Sequence, residues 1–237
     1  MTLYYPVMLR LEGKLCCVVG GGRVAERKAA GLLRAGADVT VISPQVTAEL
    51  RRLAGEGLLQ WIDSPFERGM AEAGKASLLF AATDDPAVNA AVREEGIALG
   101  IWVNGADEAE HGDFMLPAVL RQGLLTVAVS TAGASPGMAQ LVRDEISDWL
   151  GDGYDAYLEV LLELRLAVQQ LVSDSRERQS MFRGMLQWNL RPHMKDGERL
   201  PGPLFEELMK RLHGEPTADG IRRIGTWLEE LGKHDYT

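Results

Sequence analysis

Apolar and polar positions alternate along the chain in a way that divides it into three segments. In the first, short apolar runs are separated by amphipathic stretches. Leu15-Cys16-Cys17-Val18-Val19 leads into Gly20-Gly21-Gly22, a helix-compatible stretch to Ala35, a stop at Gly36 and a second run, Val39-Thr40-Val41-Ile42. Further strands are predicted at 58–62, 77–81 and 101–103, with helices at 45–54, 67–73 and from Asp85-Pro86 to Leu99. Asp85 suits an N-cap and Pro86 a first helical position. Strands alternating with helices predict an α/β fold, a Rossmann-like doubly wound parallel sheet whose ligand lies beyond the carboxyl ends of the strands. Residues 1–12 read as a lead-in, with Pro6-Val7-Met8-Leu9 able to lie along a sheet edge.

The pattern changes after Asn104. Residues 114–120 and 124–129 are apolar runs joined by Arg121-Gln122-Gly123, which predicts an antiparallel pair. A small-residue loop, Ser130 to Pro136, precedes a helix with an apolar stripe at Met138, Leu141, Val142, Ile146 and Trp149. From Tyr154 onward the chain reads as helical, with candidates at 154–172, 175–189, 203–213 and 217–232 and a loop at 197–203. The predicted organisation is therefore a nucleotide-binding domain at 1–113, a small β-and-helix segment at 114–150 and a helical domain at 151–237.

The glycine run carries the most specific chemistry. Gly20, Gly22 and Ala25 fit G-x-G-x-x-G/A between a strand and a helix. Gly20 permits the tight turn, Gly22 lets a pyrophosphate approach the backbone, and Ala25 lets the helix pack close to the strand. Unpaired N–H groups at the helix start then face the phosphates. Arg23 faces either the pyrophosphate or solvent. The second strand ends in Ser43-Pro44 where a ribose-binding carboxylate is usual, so the residues alone leave NAD and NADP open. Thr83, after the fourth strand, is a candidate cofactor contact. Asp107, in the Asn104-Gly105-Ala106-Asp107 loop after the fifth, is either a turn residue or a group that accepts a proton. Glu108, Glu110, His111 and Asp113 crowd that loop. A loop spacing fixes no coordination geometry, so they are expected to be solvated and no metal site is predicted. The hydroxyls and N–H groups of the Ser130–Pro136 loop suit a carboxylate or phosphate. Arg176, Arg178, Arg183, Arg191, Lys195 and Arg199 are scattered along the tail.

Composition narrows the function classes. A net charge of −9 over 237 residues argues against nonspecific nucleic-acid binding. No apolar run approaches the roughly 20 residues of a membrane span. No signal peptide is visible at Met1-to-Pro6. The two cysteines, Cys16 and Cys17, are adjacent in a strand, which suits core packing and a cytoplasmic location.

Taken in order, several motifs resemble one family. Cys17-Val18-Val19-Gly20-Gly21-Gly22-Arg23-Val24-Ala25-Glu26-Arg27-Lys28, Val41-Ile42-Ser43-Pro44, Ala81-Ala82-Thr83-Asp84-Asp85, Val103-Asn104 through Asp107, Phe114-Met115-Leu116-Pro117 and Val127 through Pro136 are similar to the precorrin-2 dehydrogenase / sirohydrochlorin ferrochelatase family, the amino-terminal type of sirohaem synthase. The matches span roughly residues 4–150, and the tail matches only in length and helix content. The resemblance implies NAD-dependent oxidation of precorrin-2 to sirohydrochlorin, with insertion of Fe²⁺ or Co²⁺ as a further activity of some members. It implies a homodimer that interlocks through the 114–150 segment and a tail covering the substrate cleft. It makes Asp107 the catalytic group. Cofactor contacts are implied at Gly22, Arg23, Val24, Ser43, Pro44, Thr83 and Asn104, alongside Gly20, and substrate contacts at Ser130, Thr131 and Ser135. Many relatives have Ser-Ser where this chain has Ser130-Thr131, which keeps a hydroxyl but not a second serine. Some relatives also carry a methyltransferase domain, so methylation is expected from another protein. A rival reading is a nucleotide-sensing module that binds NAD without turnover.

Overall fold

The computed structural model describes residues 4–71, 75–105, 112–194 and 198–234. The chain forms two compact units, Met1–Leu116 and Pro117–Thr237.

The first unit is the predicted parallel sheet. Its strands are β1 (Leu15–Val19), β2 (Asp38–Ile42), β3 (Gln60–Ile62), β4 (Leu78–Ala81) and β5 (Trp102–Gly105), in the order β3-β2-β1-β4-β5, all parallel. The order reverses between β1 and β4, where a doubly wound sheet opens its ligand crevice. Helices α1 (Arg23–Arg34), α2 (Ala48–Gly55) and α3 (Pro86–Leu99) connect the strands. Side chains alternate across the sheet, so both faces are covered. Cys16, Val18, Val39, Val41, Leu78 and Phe80 pack on one face with Ala25, Ala29, Leu32, Leu50 and Leu53. Cys17, Val19, Ile42, Leu79, Ala81 and Val103 pack on the other with Ala71 and Val92. Each fully buried side chain of Leu or Phe size contributes about 1.5–3 kcal/mol of transfer free energy.

The elements differ from expectation at their ends. Residues 4–11 form no strand, and Tyr5, Val7 and Met8 stay exposed. The predicted helix at 45–54 starts only at Ala48, because the Thr47 hydroxyl caps it by accepting from Leu50 N–H. Strand β3 is shorter than predicted. Strand β5 is longer and takes in Asn104, which lies opposite Phe80 of β4 instead of following the strand.

In the second unit, β6 (Ala118–Gln122) and β7 (Leu125–Val129) pair antiparallel through a two-residue turn in which Gly123 has φ +52°. Helix α4 (Pro136–Leu150) follows. Helices α5 (Tyr154–Leu171), α6 (Ser175–Met185), α7 (Gly202–Gly214) and α8 (Ala218–His234) form a bundle around Val160, Leu164, Met181, Trp188, Leu208, Leu212, Ile221 and Leu228. The predicted helix at 175–189 ends early. Trp188 instead turns into this core and donates to Ile221 O at 3.0 Å. No described helix is long and apolar enough to cross a membrane.

Candidate functional site

The candidate site lies at the carboxyl ends of β1, β2, β4 and β5. Its centre is the turn from β1 into α1, where the three glycines serve three purposes. Gly20 has φ +123°, and a Cβ there would lie 2.2 Å from Ala82 O, against the end of β4. Gly21 has an ordinary φ, but a Cβ would lie 1.8 Å from Gln45 O. Sequence reasoning missed this second requirement, since the fingerprint leaves that position free. Gly22 caps α1 without a side-chain hydrogen bond, and a Cβ there would meet nothing within 4 Å. The first two glycines thus let the turn close on its neighbours, while the third leaves open space in front of the helix N-terminus. That space beside unsatisfied N–H groups fits a dinucleotide pyrophosphate. Ala25 is fully buried against the sheet, as its role requires. Arg23 and Val24 are exposed on the first turn of α1.

The segment after β2 folds back over this turn. Thr47 N–H donates to Gly21 O at 3.0 Å, and the Ser43 hydroxyl donates to Gln45 O at 2.7 Å. Ser43 is one of the implied cofactor contacts. Its proton is engaged within the loop, and its oxygen remains as an acceptor. Trp61 Nε1 donates to Ser43 O at 2.9 Å, which ties β3 to the same loop. Pro44 is exposed.

After β4, Thr83 is half-buried and held by Asn89 of α3. The Asn89 amide donates to Thr83 O at 3.0 Å, and its oxygen accepts from Thr83 N–H at 3.2 Å. Asn89 is itself buried, and no motif marked it in the sequence. Asp85 caps α3 as predicted, accepting from Ala87 N–H at 2.8 Å.

At the end of β5, Asn104 is buried between two elements. Its amide donates to Phe114 O at 2.9 Å, and its oxygen accepts from the Lys28 ammonium of α1. Lys28 is 9% exposed and lies 5.4 Å from the Phe80 ring centroid. Burial, and secondarily the neighbouring Arg27 charge, pulls its ammonium down to about 8. Sequence reasoning passed over Lys28 because a lysine on a helix is ordinarily solvated. Asp113, expected in a solvated loop, pairs with the edge of β5. It accepts from Val103 N–H at 2.8 Å through its carboxylate and donates its own N–H to Val103 O at 2.9 Å. Asp107, Glu108, Glu110 and His111 lie outside the described residues. Among those described, no group of three or more acidic, His or Cys side chains is arranged to hold a metal ion.

In the second unit, the Ser130–Ser135 loop satisfies its own turn. Thr131 accepts from Ser135 N–H at 3.0 Å and donates to Ser135 O at 2.9 Å. The Ser130 oxygen accepts from Ala132 N–H at 3.1 Å, and Ser135 caps α4 by accepting from Met138 N–H at 3.2 Å. Several tail arginines have local partners as well. Arg178 donates to Val172 O and Ser173 O, Arg191 stacks on Tyr154, and Arg199 pairs with Glu163. Lys195 lies outside the described residues.

Comparison with known proteins places this arrangement. Residues 7–118 match a family model described as putative NAD(P)-binding, and residues 122–148 match one described as sirohaem biosynthesis protein central. A siroheme synthase of Pseudomonas aeruginosa is 32% identical over 223 residues, covering 94% of this chain and 46% of that protein. A siroheme synthase of Methylococcus capsulatus is 38% identical over 184 residues, covering 78% of this chain and 38% of that protein. A solved structure described as SirC, precorrin-2 dehydrogenase, aligns with a TM-score of 0.69 at 29% identity, covering 90% of this chain and all of that one. The chain is thus similar to a precorrin-2 dehydrogenase over most of its length and to part of the sirohaem synthases. It spans less than half the length of the curated sirohaem synthases it matches. The first family model covers the parallel sheet and the second covers β7 and most of α4.

Proposed function

We propose that the chain oxidises precorrin-2 to sirohydrochlorin with NAD⁺. The observation that carries this reading is the three-glycine turn at the β1/β4 crevice, found in a chain whose family match extends through the hairpin and α4. The turn at Gly20–Gly22 and the N–H groups of α1 hold the pyrophosphate, with Arg23 and Val24 beside it. Ser43 and Pro44 border the ribose, and Thr83 and Asn104 border the far end of the cofactor. When bound, NAD⁺ supplies the hydride acceptor. Asp107 takes the proton released as the hydride leaves the substrate. The loop of Ser130, Thr131 and Ser135, shaped by its own hydrogen bonds, borders the carboxylates of the tetrapyrrole. Ser43-Pro44 takes the place of the usual acidic residue after β2, and NAD is the form we propose.

The test is direct. The purified chain, given precorrin-2 and NAD⁺, is expected to form NADH and sirohydrochlorin together, both followed by absorbance. Asp107→Ala is expected to slow NADH formation by at least about tenfold, in the range of a lost general base. Full activity in that variant would remove Asp107 from the reaction. NAD⁺ binding without turnover would favour a sensing module.

A second activity is favoured by the relatives' description as siroheme synthases. In that reading Fe²⁺ or Co²⁺ is a substrate inserted into sirohydrochlorin in the same cleft. Supplying either ion with sirohydrochlorin, without NAD⁺, separates chelation from oxidation. The same proposal makes the enzyme cytoplasmic and homodimeric. The hairpin and α4 support dimerisation, because Leu124, Met138, Leu141 and Trp149 are exposed at 58%, 50%, 51% and 79%.

A further inference from the structure

Lys28 is the only buried lysine or arginine among the described residues, and the proposed chemistry leaves it unused. Its place in the fold gives it a task. Side chains on a helix lean toward the N-terminus, so Lys28 reaches from the second turn of α1 back toward the glycine turn. The ammonium ends against Asn104 and the face of Phe80. Asn104, Phe80 and Val18 lie at one level of β5, β4 and β1. Only one further residue on each strand, Gly105, Ala81 and Val19, separates that level from the carboxyl ends. At about 3.3 Å per residue, the charge sits just below the rim on which a ligand of this fold lies.

Lys28's described partners are neutral. An amide oxygen and an aromatic face hold the ammonium, and none of the ion pairs among the described residues involves it. Arg27, next to it in sequence, has the same sign. A cation held in this way, away from water and with no counter-charge among the described residues, acts on its surroundings with less screening than a surface charge. The nicotinamide ring of NAD⁺ carries a positive charge, and the ring of NADH is neutral once hydride has been added. A fixed cation beneath the site opposes the first and is indifferent to the second.

We propose that Lys28 biases the bound cofactor toward its reduced form, by placing a buried positive charge under the nicotinamide end of the crevice. The proposal rests on the dinucleotide reading above. It adds an electrostatic role for a residue that need not touch the substrate. Two like charges roughly 10 Å apart, at an effective dielectric of roughly 20–40, change a binding ratio by roughly four- to fifteenfold.

The experiment measures dissociation constants of NAD⁺ and of NADH at near-neutral pH for the wild-type chain, Lys28→Met and Lys28→Arg. Methionine keeps an unbranched stem against Phe80 and removes the charge, whereas arginine keeps the charge. The wild type is expected to prefer NADH. Lys28→Met should reduce that preference by roughly four- to fifteenfold, chiefly by tightening NAD⁺, and Lys28→Arg should retain it. An unchanged ratio in Lys28→Met would overturn the proposal. So would equal weakening of both ligands in both variants, which is the mark of packing alone. A wild-type chain that binds neither form would defeat the dinucleotide reading itself, an outcome distinct from a normal affinity with an unaltered ratio.

Discussion

Replacing Lys28 by Met should change how stability depends on pH, in a direction that the structure fixes. Burial lowers the Lys28 ammonium from an ordinary 10.5 to about 8. The unfolded chain therefore holds this proton up to a higher pH than the folded chain does. Stability then rises with pH between about 8 and about 10.5, and the full cost of burying the charge is felt below that window. The shift corresponds to about 3 kcal/mol. Cys16 and Cys17 act in the opposite sense. Burial raises them from 9.0 to about 11 and about 12, so the unfolded chain releases their protons first and stability falls above about pH 9. By about pH 10.5 each cysteine removes about 2 kcal/mol, enough to conceal the gain from Lys28 in the wild type.

The difference between wild type and Lys28→Met separates the two effects, because both proteins keep the cysteines. The variant leaves the Asn104 oxygen without its donor, at a cost of about 1–3 kcal/mol, but that offset does not change with pH. Urea unfolding curves should be measured for both proteins at several pH values across the window. The wild type is expected to gain about 3 kcal/mol relative to the variant from the low end to the high end. A constant difference would refute the claim that Lys28 is buried as a cation.

Four further variants test the site and the assembly. Gly22→Asp should fold normally, since a Cβ there meets nothing, yet weaken NAD⁺ binding at least about tenfold by setting a carboxylate before the pyrophosphate. Gly20→Ala should instead destabilise the chain by at least about 1–3 kcal/mol, because it combines a φ of +123° with a contact 2.2 Å from Ala82 O. Unfolding midpoints and NAD⁺ titrations distinguish these two glycine effects. Asn89→Ala should cost about 1–3 kcal/mol by freeing the Thr83 backbone and should loosen the cofactor, as calorimetry would report. Leu141→Asp, on the exposed stripe of α4, should shift the sedimentation of a dimer toward monomer without altering the monomer's helix content. A sedimentation profile identical to wild type would take that stripe out of the interface.

Much of the fold was legible because local and global signals agreed. The run of β1, the glycine turn and α1 each carry their own signature, and Asp85-Pro86 marks the start of α3 by capping chemistry alone. The hairpin turn and the Ser135 cap were legible for the same reason. The less visible features depend on long-range contacts. Asn104 is drawn into β5 by partners that are distant in sequence, Lys28 and Phe114. The need for glycine at position 21 arises from Gln45, on a loop that follows the next strand. Asn89 and Lys28 look like ordinary helix residues, since periodicity says which way a side chain points but not what it meets. The exposed lead-in shows the converse, where an apolar run of suitable length finds no strand to pair with.

These partners explain how the end of an edge strand is held in place. β5 is an edge strand, and an exposed edge is open to wrong pairing. Asp113 closes it with both its carboxylate and its N–H on Val103, and the Asn104 amide fastens the adjoining Phe114 carbonyl. The chain thus leaves β5 at Gly105 and returns beside the same strand at Gly112. Asn104, next to Gly105, is itself anchored to α1 through Lys28. A change at Lys28 is therefore expected to reach the strand end in two separable ways: through its charge, which Arg preserves, and through its hold on Asn104. If Lys28→Arg kept the cofactor preference of the wild type while Asn104→Ala altered affinity for both cofactor forms equally, charge and scaffold would be assigned to different atoms of the same hydrogen bond.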